Sequence, residues 1–456
     1  MMETLSEQYA TIIIGAGISG IQAALDIADQ GYKVLLVEKE ASIGGKMIQL
    51  SKVFPTLDCA SCITTPKMSS ATHHKNITVW TYSEIEEYHK NDYDNFIVKV
   101  RKKARLVDEE KCIGCRQCEY ACPIDIPSEF EMGLGARKAI YIPFQTAIPQ
   151  IPVLDLDNCI ACGQCHRVCP ADAIDYMQED QFVTIEATTV ILATGYELTP
   201  LGEKKEWKGD KYLNVISSMT AERLLAPNGP YAGIRRPSDG QIPMYIAYVH
   251  CAGSRDESLN RTYCSRVCCM YTIKQAMLIM GSLPIVGVTC YYMDIRAFGK
   301  GYEQFYQNAK AMGIEFVKGK VGAITEDPKT HNLILDVEEI GGTGGKIKAE
   351  HELVVLSLGM TPGNCPISKF PIKQGEDGFI DLEELKIEPV NTNLEGIFGA
   401  GTALGPKDIV DTIIEGSAAS MKVINFLKIK EKASEDSLTI ELSSMESATK
   451  GASTED

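Results

Sequence analysis

Two copies of one cysteine pattern constrain this chain more than any other feature. Each copy reads Cys-x2-Cys-x2-Cys-x3-Cys-Pro, and the copies begin at Cys112 and Cys159. Thiolates at these spacings wrap a [4Fe–4S] cubane, and the fourth cysteine of each run binds the other cluster. A zinc site needs only four thiolates and rarely doubles in this form. We therefore predict two clusters, with the ligand sets Cys112, Cys115, Cys118 and Cys169, and Cys159, Cys162, Cys165 and Cys122.

A third group of cysteines has a less familiar spacing, Cys-x12-Cys-x3-Cys-Cys, and matches no zinc finger. It follows a predicted strand at 243–249, where a nucleotide-binding domain would place its glycine-rich turn, but here residues 250–255 read His-Cys-Ala-Gly-Ser-Arg. On chemistry alone, a third cluster and simple packing both stay open. The four residues are Cys251, Cys264, Cys268 and Cys269.

The composition narrows the class of protein. Sixteen cysteines in 456 residues are more typical of ligands or redox groups than of disulfides if the compartment is reducing. The net charge of −16 argues against nucleic acid or an anionic membrane face, because both require a basic footprint. The amino end does not resemble a secretory signal, and no apolar run reaches the roughly 18 residues of a membrane span. We expect a cytoplasmic protein.

A glycine-rich turn near the amino end predicts a dinucleotide site. Residues 11–14 read as a strand, the motif Gly-x-Gly-x-x-Gly opens a helix, and a second strand ends at Glu38. In such a unit Gly15 makes the tight turn, Gly17 lets the backbone approach a pyrophosphate, and Gly20 lets helix and strand pack closely. The helix amino terminus stabilises the phosphates, and Glu38 is placed to accept hydrogen bonds from a ribose.

Two later segments favour FAD over NAD at this site. Residues 190–195, Val-Ile-Leu-Ala-Thr-Gly, resemble a strand-to-turn motif of two-dinucleotide-binding flavoproteins. Residues 396–401, Gly-Ile-Phe-Gly-Ala-Gly, resemble the segment that lies along the flavin ribityl chain in those proteins. The three segments follow in the expected order. We therefore predict an FAD-binding domain made of residues 9–106, 180–240 and 361–430, a ferredoxin domain at 107–179, a second nucleotide-binding-like domain at 241–360 and a disordered tail at 431–456.

Longer motifs resemble the A-type flavoprotein subunit of heterodisulfide reductases. They are the segments 44–50, 54–68, 250–256, 263–269 and 405–409, and the resemblance covers roughly residues 9–428. It implies an α/β fold like that of thioredoxin reductase with an inserted bacterial-type 2[4Fe–4S] ferredoxin domain. It also implies that Cys251, Cys264, Cys268 and Cys269 bind a third cluster.

The same resemblance implies flavin-based electron bifurcation or confurcation. A cation beside the flavin tunes its potential, so Lys407 is the candidate catalytic residue; a solvated lysine near a helix start is the plainer interpretation. The implied partners are B and C subunits, ferredoxin and a hydrogenase- or formate-dehydrogenase-linked input subunit, with two copies of this chain in the complex. The expected FAD contacts are Gly15, Gly17, Gly20, Glu38, Lys39, Gly45, Lys46, Thr194, Gly195, Gly401, Lys407 and Asp408.

Some alternatives stay open. The chain lacks the extra amino-terminal domain and the second ferredoxin domain of the longest family members, which leaves bifurcation within this chain alone undecided. A non-bifurcating relay in a quinone-linked complex and an NAD(P)H-dependent reductase similar to the small subunit of glutamate synthase are the other candidate functions. The pair Cys59 and Cys62 could supply a cluster ligand, exchange disulfides or pack.

Overall fold

The frame of the molecule is a pair of twisted sheets, and a computed structural model describes it over residues 5–231, 233–340, 345–363 and 369–451. The chain begins in the first sheet, where β-branched runs form buried strands and an alanine-rich segment forms the first helix. The elements are β1 (Leu5–Ile14), α1 (Ile18–Asp29), β2 (Val34–Val37), α2 (Ala60–His73), β3 (Ile77–Trp80), β4 (Ser83–Lys90) and β5 (Phe96–Lys102).

A cysteine-rich domain interrupts the first sheet between two of its strands. It has two short helices and two small hairpins, α3 (Gln117–Ala121), β6 (Ile126–Pro127), β7 (Ala136–Arg137), β8 (Ile140–Tyr141), β9 (Val153–Leu154) and α4 (Gln164–Val168). The chain then returns as β10 (Gln181–Leu192) and leaves again through β11 (Tyr196–Leu198). Since β10 pairs antiparallel with β5 from Lys102 opposite Gln181, the insertion departs and returns at neighbouring points.

The second sheet takes up most of the remaining chain. Its first elements are β12 (Val215–Ser217), α5 (Ser218–Leu225), β13 (Tyr245–Ala252), α6 (Cys268–Ser282), β14 (Gly287–Tyr292) and α7 (Tyr302–Ala311). The strands β15 (Glu315–Glu326), β16 (Leu333–Glu339), β17 (Lys346–His351), β18 (Leu353–Leu358) and β19 (Met360–Pro362) follow. The chain then rejoins the first sheet through β20 (Ile397–Gly399) and ends in α8 (Ile409–Gly451).

Both sheets have parallel centres, which places the carboxyl ends of neighbouring strands on one edge. The first has the order β3-β2-β1-β10-β5-β4, with β20 also paired to β10, and the second has the order β12-β18-β13-β14-β15-β16-β17. The strands β11 and β19 pair with each other and join the two halves. In folds of this kind ligands bind at the carboxyl ends of the strands, and the sites described below lie there.

Two expectations differ from the observed fold. The second domain is predicted from residue 241, yet β12 already pairs with β18 at Val215, because a three-residue strand is too short to stand out in the sequence. The composition predicts a disordered tail at 431–456, whereas α8 continues to Gly451; residues 452–456 lie outside the described residues. Residues 428–450 contain neither glycine nor proline, so nothing in the sequence stops the helix.

In the part of the chain that the structure describes, no helix has the length and apolar character needed to cross a membrane.

Candidate functional site

The glycine turn after β1 has the close approaches that its sequence predicts. Gly15 has φ +103°, and a Cβ there would lie 2.3 Å from the Ala193 carbonyl oxygen. A Cβ on Gly20 would lie 2.0 Å from the carbonyl oxygen of Gly15, so only glycine lets α1 approach the turn. Gly17 differs, because a Cβ there would meet nothing within 4 Å. Its backbone faces open space, as a phosphate-binding turn requires.

Glu38 lies at the end of β2, beside the glycine turn. Its carboxylate accepts hydrogen bonds from the backbone N–H groups of Ala16 (2.8 Å) and Glu40 (3.0 Å). Burial raises the pKa of Glu38, and the two N–H groups act in the opposite direction. A carboxylate has about four acceptor sites, so the side chain is held in place and keeps capacity for a ribose hydroxyl.

A cleft of about 760 Å³ opens from this turn and runs between the two sheets; we call it the main cleft. Twelve predicted FAD contacts were named above, and ten of them line this cleft: Gly15, Gly17, Glu38, Lys39, Gly45, Lys46, Thr194, Gly195, Lys407 and Asp408. Gly20 and Gly401 lie behind the wall, where a Cβ would strike Gly15 and Ser19 respectively. The structure therefore brings together segments that are about 400 residues apart in the chain.

Two buried hydroxyl groups in the wall of the main cleft point to a polar ligand. Ser19 Oγ and Thr194 Oγ1 find no hydrogen-bond partner within the described residues. Buried polar groups are normally paired, and both side chains line the cleft. A dinucleotide with phosphate, ribose and ring polar groups would satisfy them.

Lys39 and Lys46 lie at the rim of the cleft rather than inside it. The Lys46 ammonium is 2.9 Å from the Glu197 carboxylate and 5.5 Å from the centre of the Tyr196 ring. The side chain of Lys39 is 45% exposed and contacts the same carboxylate at 3.9 Å. These two lysines can attract phosphate, but both ammonium groups contact the Glu197 carboxylate, which partly neutralises their charge.

Lys407 is buried in the cleft wall at 7% exposure, which excludes the solvated-lysine interpretation. Its ammonium forms an ion pair with Glu415 of α8, and burial lowers the pKa of Lys407 while the Glu415 charge opposes that change. Asp408 caps α8 by accepting a hydrogen bond from the Asp411 N–H (2.9 Å), and it accepts another from the Tyr302 hydroxyl (2.8 Å). Asp408 thus links the loop before α8 both to α8 and to Tyr302 of α7, a helix of the second half.

The floor of the main cleft holds a charged pair that the sequence analysis missed. Glu222 of α5 and Lys274 of α6 are buried and form an ion pair. Glu222 also accepts hydrogen bonds from the Ser51 hydroxyl (2.6 Å) and N–H (3.0 Å) and from the Gln275 amide, and the Lys274 ammonium donates to the Lys52 carbonyl oxygen (2.8 Å). Glu222 and Lys274 are 52 residues apart, so no local spacing signals them.

The bridge inside the cysteine-rich domain forms another wall of the cleft. Phe130 and Phe144 stack with ring centres 4.8 Å apart, and both face the cleft. Arg223 of α5 donates two hydrogen bonds to the carboxylate of Glu131 at 2.9 and 3.0 Å. The bridge segment at 130–149 therefore packs on the core of the flavin-binding half, and its Glu131 contacts α5.

The two copies of the cysteine pattern fold alike. Gly114 and Ala161 occupy equivalent positions with φ +68° and +54°, and Arg116 and Gly163 do so with +61° and +70°. One hollow is lined by four cysteines taken from both copies, Cys112, Cys115, Cys118 and Cys169. In the second set, Cys159, Cys162 and Cys165 lie around Tyr176. Cys122 packs against the hydrophobic core of the cysteine-rich domain, as Cys159 and Cys165 also do.

The third cysteine group also closes around a hollow. Cys251 ends β13 with φ +57°, and α6 begins at Cys268. The hollow is lined by all four cysteines of the group together with Ser254, Arg255, Ser265, Arg266, Asp294 and Arg296. Where a nucleotide-binding domain would have its glycine turn, this chain has thiols and arginines.

The chemistry of these thiols suits iron. Burial raises the pKa of Cys118 and of Cys269 to about 12, so neither ionises near neutral pH without a cation bound to sulfur. No three His, Cys, Asp or Glu side chains within the described ranges are grouped closely enough for a single metal ion. The cysteines instead surround hollows, as ligands at the corners of a cubane do.

Cys59 and Cys62 lie apart from these sites, and they form a disulfide at the start of α2. All the other cysteines that the structure describes are free. The Cys59 sulfur caps the helix by accepting the Cys62 N–H at 3.2 Å. Of the three roles considered for this pair, the observed bond fits disulfide exchange.

Comparison with protein families identifies both kinds of domain. The FAD dependent oxidoreductase family matches residues 11–75, and the 4Fe-4S dicluster domain family matches residues 111–174. The first match spans the glycine turn, and the second spans both cysteine patterns. FAD and [4Fe–4S] clusters are therefore the cofactors of this oxidoreductase.

Longer relatives match nearly the whole chain. The second of two A-type iron-sulfur subunits of CoB–CoM heterodisulfide reductase from Methanopyrus kandleri is 48% identical over 429 residues, which are 93% of this chain and 65% of the relative. The A-type subunit of the H2/formate:CoB–CoM heterodisulfide,ferredoxin reductase from Methanococcus maripaludis is 47% identical over 90% of this chain and 63% of the relative. The chain thus spans less than two thirds of the length of these relatives.

Solved structures confirm the expected fold class. Thioredoxin reductase from Lactococcus lactis matches with a TM-score of 0.52 and 14% identity over 92% of this chain and 98% of its own. Thioredoxin reductase from T. acidophilum matches with a TM-score of 0.51 and 15% identity over 93% of this chain and 99% of its own. At this identity the likeness concerns the fold alone.

Proposed function

We propose that this chain, an iron–sulfur flavoprotein similar to the A-type subunits of heterodisulfide reductases, is an oxidoreductase component that distributes single electrons from an electron pair taken up in its main cleft. When bound, FAD supplies the change from two-electron to one-electron chemistry, and the clusters carry single electrons. The chain contributes the cleft, the cluster sites and the short path between them.

One observation carries this proposal: the main cleft and the third cysteine group share a wall. Val267 and Tyr271 line the cleft, while Arg266 and Cys268 line the hollow of the third group. The Tyr271 hydroxyl lies within hydrogen-bond reach of Cys268 and donates to the Leu358 carbonyl oxygen at 2.8 Å. A ligand in the cleft and a cluster in the hollow would therefore be separated by one layer of side chains.

The ligand sets follow from the hollows. We propose Cys112, Cys115, Cys118 and Cys169 for the first cluster, Cys159, Cys162, Cys165 and Cys122 for the second, and Cys251, Cys264, Cys268 and Cys269 for the third. The exchange of fourth ligands between the two patterns is supported by Cys169, which reaches the hollow of the first three cysteines of the other copy.

The two buried lysines beside the cleft are each held in a neutral pair. Lys407 is paired with Glu415 and Lys274 with Glu222. A buried pair avoids the cost of an isolated buried charge and stays oriented. Two cations are thus held beside the space where the flavin would bind, and we assign to them, Lys407 above all, the tuning of the flavin potential.

We further propose that the electron pair is bifurcated, with one electron passing to a low-potential acceptor and one to a high-potential acceptor. The relative from Methanococcus maripaludis is named as part of a heterodisulfide,ferredoxin reductase, and this name supports two acceptors of that kind. As partners we propose B- and C-type subunits, a ferredoxin and a hydrogenase- or formate-dehydrogenase-linked input subunit, with two copies of this chain in a cytoplasmic complex. The missing glycine turn after β13 argues against an NAD(P)H-dependent reductase.

Cofactor content tests the sites. The chain, purified anaerobically with its native partners and then separated from them, is expected to hold about twelve iron atoms and one FAD, since each cubane has four irons. Cys264→Ser should lower the iron content by about four without loss of FAD, while Cys290→Ser, which changes a buried cysteine outside the three groups, should leave both unchanged. Eight iron atoms in the unmodified chain would overturn the third cluster.

Coupled assays test bifurcation. The native complex, given its electron donor, should form reduced ferredoxin only when a high-potential acceptor is also present. Reduction of ferredoxin without that acceptor would contradict bifurcation, and a complex that never reduces ferredoxin would instead be a simple relay. Rapid reduction of the flavin by NADH alone would support the reductase alternative.

A further inference from the structure

Three of the four thiols of the third cysteine group face a hydrogen-bond donor. The backbone N–H of Arg266 donates to the Cys264 sulfur at 3.3 Å. The Arg255 guanidinium lies within hydrogen-bond reach of Cys251, and the backbone N–H of Arg296 lies within reach of Cys269. Of these three donors, only the Arg255 guanidinium belongs to a side chain.

Positive charge exceeds negative charge around this hollow. Arg255, Arg266 and Arg296 line it, and Asp294 is the single carboxylate among its lining residues. Asp294 contacts Arg255 at 2.7 Å and Arg296 at 3.2 Å, so one carboxylate serves two guanidinium groups. Arg266 is paired with Asp411 of α8 at 2.8 Å. When both carboxylates are counted, the three arginines leave one positive charge over.

The hollow of the first cysteine pattern is built differently. Its lining, apart from the cysteines, is apolar except for Arg116. The guanidinium of Arg116 is paired with the Glu119 carboxylate at 2.6 Å, so no positive charge is left over there. The donors to its sulfurs are neutral backbone N–H groups, such as that of Ala173, which lies 3.3 Å from the Cys169 sulfur.

We propose that Arg255, together with Arg296, raises the reduction potential of the cluster at the third cysteine group above the potentials of the two ferredoxin-type clusters. This inference rests on the proposed third cluster. A cubane gains one electron and one unit of negative charge on reduction, with no bond formed or broken. Positive charge and hydrogen bonds to sulfur stabilise that added charge, and so raise the potential.

Burial acts in the opposite direction. Cys251, Cys268 and Cys269 are 5–8% exposed, whereas Cys115 and Cys162 are exposed, and desolvation disfavours the more negative reduced state. The same burial also strengthens the attraction of nearby guanidinium groups, because the effective dielectric constant is lower inside the protein. With one positive charge left over and the Arg255 guanidinium within hydrogen-bond reach of Cys251, the electrostatic stabilisation outweighs the desolvation at this site.

The third cluster is then the high-potential one-electron partner of the main cleft, and the ferredoxin-type pair is the low-potential one. An electron pair taken up in the cleft can separate between them.

A potentiometric titration of the full chain followed by EPR spectroscopy tests this inference. In the unmodified chain with its cofactors, the signal that disappears in Cys264→Ser should develop at a higher potential than the other two. Arg255→Gln should shift that signal to lower potential and leave the others in place, and Arg255→Lys should restore part of the shift because it returns the charge.

Arg261→Gln is the matched control. Arg261 lies six residues from Arg255, carries the same charge and is paired with Glu203 at 2.5 Å, but it does not line the hollow. Its substitution should leave all three potentials unchanged. A third cluster that is reduced below the ferredoxin-type clusters, or a shift in Arg255→Gln no larger than in Arg261→Gln, would overturn the inference while the iron content still supports the third cluster. Eight iron atoms per chain would overturn both.

Discussion

Replacement of Lys274 by methionine is expected to destabilise the protein strongly at neutral pH. The side chains of Lys274 and Glu222 are 2% and 3% exposed, so their attraction is not screened by solvent. Methionine nearly matches the length of lysine but removes the charge, which leaves the Glu222 carboxylate buried with only Ser51 and Gln275 as donors. Loss of one partner of a buried pair costs about 3–5 kcal/mol.

The pH dependence gives this prediction a distinctive signature. Burial alone would raise the pKa of Glu222, but the Lys274 charge and the hydrogen bonds from Gln275, Lys274 and Ser51 outweigh it and hold the pKa below its usual value. The unmodified protein therefore keeps this stabilisation above about pH 4.3 and loses it as the pH falls through the lowered pKa. In Lys274→Met burial dominates and the pKa of Glu222 rises, so the deficit should be largest near pH 7 and shrink towards pH 4.

Thermal unfolding of the anaerobic protein, followed by circular dichroism and flavin fluorescence, measures the effect. A loss of about 3–5 kcal/mol lowers the midpoint by about 3–5 °C, because a chain of 456 residues has an unfolding entropy of about 1 kcal/mol/K. The double variant Lys274→Met with Glu222→Gln should lose less than the single variant, because no charge stays buried. Lys348→Met is the control, since that lysine is 77% exposed beside Asp336, and its midpoint should not change. A midpoint for Lys274→Met within about 1 °C of the unmodified protein at pH 7, as a loss under about 1 kcal/mol would give, would refute the reasoning.

Three further outcomes are expected. Gly17→Val should fold with unchanged far-ultraviolet circular dichroism but lose flavin absorbance, because the valine side chain would enter the open cleft. Gly20→Ala should instead lower the unfolding midpoint, because the added Cβ would lie 2.0 Å from a carbonyl oxygen. Burial lowers the pKa of His351 to about 4, so the free energy of unfolding should fall by up to about 3 kcal/mol as the pH drops from 6.5 to 4. His351→Gln should reduce this dependence of stability on pH, and an unchanged dependence would exclude His351 as its source. Maleimide should not label Cys59 or Cys62 in the unreduced protein but should label Cys62 in Cys59→Ser. Labelling of either cysteine in the unmodified chain, detected by mass spectrometry, would contradict the disulfide.

The sequence predicted those parts of the site that depend on local spacing. The glycine turn, the two cysteine patterns and the segment from Gly396 to Gly401 are short motifs whose backbone geometry follows from their own residues. The predicted strand at 11–14 lies within β1, and the thioredoxin-reductase-like fold is confirmed. The pair of Glu222 and Lys274 could not be found in this way, because it forms only when α5 and α6 pack against each other. The start of the second sheet at Val215 was not predicted for a similar reason. A three-residue strand is defined by its pairing with another strand rather than by the propensity of its own residues.

The placement of the cysteine-rich domain between β5 and β10 has a consequence for biosynthesis. The central strand β10 pairs with β1 through contacts such as Ile14 opposite Leu192, so the first sheet cannot close until the whole insertion has left the ribosome. Domains generally fold as units from the amino end during synthesis. The cysteines of both ferredoxin patterns therefore emerge before the flavin-binding half is complete, and Ile397 of β20 joins it much later. We expect iron–sulfur assembly factors to act on a nascent chain whose flavin site does not yet exist.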